Sequence, residues 1–128
     1  MLAAATVESG EGLAQSIHAG QHALVADEPV SNGGKDGGPA PYQLVLAGLG
    51  ACTSATLKMY SARKSWDFGK ITVRLKLFRE EAGERIERAI ECSAQLTQEQ
   101  RDKVLEIAGK TPVTKTLLRA MKIETTLA

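Results

Sequence analysis

The chain has 128 residues, with 16 basic against 15 acidic side chains and a net charge of +1, which is the length of one domain and leaves no surplus charge for nucleic acid or an anionic membrane surface. Two cysteines, Cys52 and Cys92, are too few for the disulfide scaffold of a small secreted protein, and no leader pattern opens the sequence, so a reducing cytoplasm is expected. The charge is uneven: residues 1–57 carry one basic and five acidic side chains and residues 58–128 carry fifteen and ten, a division that suits complementary surfaces across a subunit interface.

Residues 2–8, 13–18 and 21–26 read as three short strands separated by Ser9-Gly10-Glu11-Gly12 and Ala19-Gly20, most economically an antiparallel meander. His18 and His22 lie four apart across the second turn, a spacing that does not suit two strand ligands of one metal ion. The chain has no other histidine, and no metal or cofactor is expected. Residues 27–40, DEPVSNGGKDGGPA, form a loop by composition, expected to fold over the start of the next element. Its glycines do not make a phosphate-binding loop, because Gly38 is followed by Pro39 where that motif runs Lys-Ser/Thr into a helix.

The organising stretch follows. Pro41 supplies a first helical position and no proline recurs before Pro112, so a helix is predicted from Pro41 to about Lys64, on the order of 36 Å long at the helical rise. No charged side chain occurs between Pro41 and Leu57, which predicts a helix buried nearly all round. A membrane span is disfavoured by its short uncharged run, its polar residues and Gly48 and Gly50. Ala47, Ala51 and Ala55 fall four apart beside Gly48, Cys52 and Thr56, a strip of small residues on which another helix can lie closely, including the same helix of a second subunit. Cys52 belongs to that strip, where it is either a small packed hydrophobe or a reactive thiol. It lies eleven residues past Pro41, beyond the helix N-terminal field, so any activating charge must come from elsewhere in the fold.

After Trp66-Asp67-Phe68-Gly69 the alternation of Ile71, Val73, Leu75 and Leu77 with polar residues predicts a half-buried strand over 70–79. A hairpin loop at 80–84 returns it as a strand over 85–96, whose inward face holds Ile86, Ile90, Cys92, Ala94 and Leu96. Cys92 is thereby given a packing role by default. Thr97 and Gln100 form a capping box that opens a helix ending at Gly109. Thr111-Pro112 caps and starts another, and residues 121–127 are expected to close the chain as a strand.

The segments AGQHALVADEP, GGKDGGPAPYQLVLAGLGACTSATLKMYSARK and KTPVTKTL resemble, in this order, those of the OsmC/Ohr superfamily, named for osmotically inducible protein C and the organic hydroperoxide resistance protein. The resemblance runs from about Leu13 to the end. It implies an α+β fold, antiparallel sheets wrapped around a long central helix, in a single domain over 1–128 that forms an intertwined homodimer. It also implies a thiol peroxidase acting in oxidative stress defence, with Cys52 as the peroxidatic cysteine, an organic hydroperoxide as substrate and a thiol reductant as partner. The chain departs from the family at its auxiliary positions. Thr111 stands where the resolving cysteine is expected, Tyr42 or Gln43 where the glutamate of the central helix falls, and no arginine precedes Arg63. Cys92 is the remaining candidate to resolve the sulfenic acid. A catalytically degenerate, dimeric binding or scaffold protein with a cleft for a small apolar ligand is the alternative reading.

Overall fold

The computed structural model describes all 128 residues. The chain divides into two compact units, Met1–Val45 and Leu46–Ala128.

In the first unit the three strands β1 (Ala5–Ser9), β2 (Gln15–Ala19) and β3 (His22–Ala26) form the expected meander in the order β1-β2-β3. Both pairings are antiparallel, with Val7 opposite Ile17 and Ile17 opposite Leu24. The connecting loop folds on itself around one buried carboxylate. Asp27 accepts backbone N–H groups from Glu28 at 2.8 Å, Lys35 at 3.2 Å and Gly37 at 3.0 Å, and its own N–H donates to the Pro39 carbonyl. The loop's glycines serve these close approaches. A Cβ on Gly34 would run into the Glu28 carbonyl and one on Gly38 into that of Val25.

The N–H donors, that of Gly37 foremost, hold the Asp27 carboxyl below the usual carboxylate range. Because the folded state favours the ionised form, its contribution is present above the unfolded value of ~3.9 and is lost as the pH falls through the lower folded value. The amides of Lys35 and Gly37 are therefore expected to stay protected from hydrogen exchange at pH 5 and to lose protection in stronger acid. Asp27→Asn should remove that dependence and expose both amides at pH 5; protection in the variant equal to wild type would show that the carboxylate does not order the loop.

The helix α1 spans Pro41–Lys64 as predicted and closes on Ser65, whose φ of 55° lies in the left-handed region. Ser65 N–H reaches the Ala62 carbonyl and Trp66 N–H that of Ser61, the paired bonds of a helix C-cap. No helix is long and apolar enough to cross a membrane. The expectation that α1 is buried nearly all round fails for the single chain. Only the stripe Leu49, Gly50, Thr53, Leu57 and Ser61 is buried, while Ala47, Gly48, Ala51, Ala55 and Met59 are exposed.

In the second unit that stripe faces the hairpin of β4 (Ile71–Glu80) and β5 (Gly83–Cys92), whose strands pair antiparallel from Ile71 opposite Cys92 to Glu80 opposite Gly83. A Cβ at position 50 would come within 2.9 Å of Leu75 Cδ1, the end of a side chain that would have to move aside, so helix and hairpin are in direct contact here. The core gathers Leu57, Phe68 and Val104, with Trp66, Ile71, Ile90 and Cys92 packed around it. The strand β5 stops four residues short of its predicted end at Leu96, because Ser93 and Ala94 bend away to donate to the carbonyls of Lys70 and Phe68.

Both remaining helices start where their caps predict. In α2 (Gln98–Ala108) the Thr97 hydroxyl accepts from Gln100 N–H while the Gln100 side chain accepts from Thr97 N–H, and α3 (Pro112–Arg119) is capped by Thr111. The expected closing strand over 121–127 is not formed. The chain leaves α3 through Ala120 at a φ of 64° and runs on without ladder partners, with Met121, Ile123 and Leu127 exposed. The fold is α+β with antiparallel sheets.

Candidate functional site

Cys52 stands beside the buried stripe of α1 and is half-buried; its Sγ lies 3.9 Å from the Thr56 hydroxyl one turn on, the helical i, i+4 neighbour. On its other side lies the exposed small-residue face of the helix, Gly48, Ala51 and Ala55. Both cysteines of the chain are free thiols.

The next residue, Thr53, is fully buried and points into the second unit, where the structure assembles a network that sequence reasoning missed. Its hydroxyl donates to the Leu49 carbonyl at 2.7 Å and accepts from Arg88 Nη1 at 3.0 Å. Arg88 Nη1 also donates to the Thr114 hydroxyl at 2.9 Å, and Nη2 to the Ala108 carbonyl at 2.9 Å. Thr114 in turn donates to Ala108 O at 3.1 Å. A hydroxyl has one proton, so the 2.6 Å contact between Thr114 and Thr111 is a bond in which Thr111 donates. Arg88 thus ties α1, the end of α2 and the start of α3 to β5, with no carboxylate among its partners.

Burial of the guanidinium pushes its pKa down from the ordinary arginine value. Every buried side-chain nitrogen and oxygen in the protein has a partner. The sequence did carry a signal for Arg88: it occupies an even position of β5, the register whose other members, Ile86, Ile90 and Cys92, face inward. A cation on the inward face of a strand requires fixed acceptors.

The positions singled out from the sequence separate into distinct places. Thr111 is fully buried, and its hydroxyl also accepts from Thr114 N–H as the cap of α3. Through Thr114 and Arg88 it is joined to Thr53, the neighbour of Cys52 in the chain. Gln43 accepts from Ala40 N–H at 2.9 Å at the start of α1, satisfying one of the donors a helix leaves open there. Tyr42 sits in the same first turn, half exposed. Cys92 ends β5 opposite Ile71 and packs against the core, where burial pushes its thiol up, partly offset by the charges of Lys58 and Arg101.

Residues 33–126 match the family model described as OsmC-like protein. No curated protein matches the sequence significantly. Among solved structures, an OsmC-like protein from Mycoplasma pneumoniae superposes with a TM-score of 0.78 at 19% identity, over 92% of this chain and 88% of that one. The organic hydroperoxide resistance protein OhrB of Bacillus subtilis gives 0.64 at 20% identity, over 91% and 90%. An organic hydroperoxide resistance protein OsmC from Legionella pneumophila gives 0.67 at 19% identity, over 91% and 89%. At these identities the structural likeness establishes the fold.

Proposed function

This chain belongs to the OsmC-like protein family, and from that premise we propose that it is a thiol-dependent hydroperoxide reductase whose peroxidatic sulfur is Cys52. The observation that carries the reading is a free, half-buried thiol on the long helix, inside the matched stretch and next to the buried network that reaches position 111. As a thiolate, Cys52 attacks the distal oxygen of an organic hydroperoxide. The S–O bond forms as the O–O bond breaks, the alkoxide takes up a proton and leaves as the alcohol, and the sulfur remains as a sulfenic acid.

Thr111 forms no disulfide, so reduction falls to an external dithiol or to Cys92. The first thiol of a dithiol condenses with the sulfenic acid and releases water. The second displaces Cys52 from the mixed disulfide, so the reductant leaves oxidised. A reducing compartment such as the cytoplasm keeps both cysteines ready for this cycle.

The acting unit in this proposal is a homodimer. The exposed, uncharged face of α1 formed by Gly48, Ala51, Ala55 and Met59 is the surface on which a second copy packs, and it brings the partner close to Cys52. The apolar residues of the unpaired segment after α3 are further surface for the same partner.

The test is peroxide consumption by purified protein with cumene hydroperoxide and dithiothreitol. Wild type and Cys92→Ser should consume the peroxide and Cys52→Ser should fall to the uncatalysed rate. Consumption that survives in Cys52→Ser removes the assignment. No consumption by wild type favours the second reading, a non-catalytic dimeric binding protein, for which the observation is the commitment of the Thr111 hydroxyl to the helix cap.

A further inference from the structure

We propose that the cleft between β5 and α2 is a binding site for a small organic anion with an apolar body, of the class of a medium-chain carboxylate. The cleft has a volume of about 710 Å³, within the range of small-molecule sites, and is lined wholly from the second unit. Ile90, Leu96 and Val104 give it an apolar floor continuous with the core. Leu105, at 70% exposure, is a large aliphatic side chain on its wall that an apolar ligand would cover.

The charges decide the sign of the ligand. Two guanidinium groups line the cleft, and neither has a carboxylate partner. Arg88 is held by two hydroxyls and a carbonyl through three of its five N–H donors, and the Arg101 side chain forms no ion pair. The two acids of the lining are placed differently. Glu91 is paired with Arg74, outside the cleft on the neighbouring strand, at 2.6 Å, and Asp102 accepts from the neutral Gln98 Nε2 at 2.8 Å and keeps its charge. With Glu91 offset by Arg74 and Asp102 still charged, Arg88 and Arg101 leave one positive charge in excess beside an apolar floor, which complements a headgroup of one negative charge on a hydrocarbon chain. This site does not depend on Cys52 or on peroxide chemistry.

Cys92 reports on occupancy because it lines the same cleft, whereas Cys52 lies outside it and serves as the internal reference. The experiment titrates full-length protein with decanoate and measures alkylation of each cysteine by iodoacetamide with peptide mass spectrometry. Decanoate should slow Cys92 several-fold and leave Cys52 unchanged, and decanol should protect more weakly than decanoate. Arg101→Ala, a change at an exposed position, should weaken the decanoate effect by roughly tenfold, the worth of one charge-assisted hydrogen bond. The proposal is overturned if decanoate leaves the Cys92 rate unchanged, if it slows both cysteines alike, or if Arg101→Ala responds as wild type does.

Discussion

Arg88→Met should lower the thermal midpoint by on the order of 10 °C for a chain of this size. The substitution keeps an unbranched side chain in the space but removes three N–H donors from the Thr53 and Thr114 hydroxyls and the Ala108 carbonyl. Hydrogen bonds from a charged group are worth about 1.5–3 kcal/mol each when buried. The guanidinium is only partly withdrawn from water, so about 3 kcal/mol in total is the expected loss. The acceptors belong to three different helical segments, so the loss is expected to loosen the junction of α1, α2 and α3 together. Arg88→Lys should recover only part of it, because a single ammonium cannot reproduce a planar fork aimed at separated acceptors. Melting followed by circular dichroism checks this; an Arg88→Met protein that melts with wild type would show that packing alone joins these helices.

Ala51→Glu should convert the proposed dimer to monomer, raising its dissociation constant by roughly 100-fold or more. Ala51 is exposed in the single chain, and glutamate is a good helix former, so α1 itself should survive and far-ultraviolet dichroism should be unchanged. In a two-fold contact of α1 with α1 the new carboxylate is introduced twice, into a face without a single basic residue between Pro41 and Leu57. Each copy then meets a desolvated like charge, the nearest cation on that face being Lys58, two turns on. Sedimentation velocity across a concentration series reads the result. If the variant associates as wild type does, the helix face is not the interface. Peroxide consumption in the same variant asks a separate question, whether the partner's proximity matters to Cys52.

The fold was legible wherever the signal was local. The capping box of Thr97 and Gln100, the Thr111-Pro112 start and the alternation from Ile71 to Leu77 each placed an element, because caps and pleats act over a few residues. The long helix was equally plain in its extent and mistaken in its burial. An uncharged helix surface says that water is unwelcome there, but it does not say whether the covering atoms come from the same chain. In this chain the hairpin, Phe68 and α2 cover one stripe, and the opposite face stays exposed. The strand expected over 121–127 failed for a related reason: a strand exists through hydrogen bonds to a neighbour, and the chain offers this segment none.

The candidate site was half legible. Cys52 and Thr111 could be named from motif resemblance, and Cys92 from strand register, yet the residue that links position 53 to position 111 was Arg88, hidden in a strand otherwise read for its apolar face. What the amino-acid order determined by itself is the run of elements from β1 to α3 and the caps of α2 and α3, since these follow from short-range stereochemistry, and, through the resemblance of its motifs, the family. What only the tertiary structure decided is which side of α1 is covered, that a guanidinium without a carboxylate partner ties three helices to a strand, and that Cys92 and Arg101 share a cleft. Those depend on residues far apart in the chain meeting in space, where burial sets the worth of each hydrogen bond and charge.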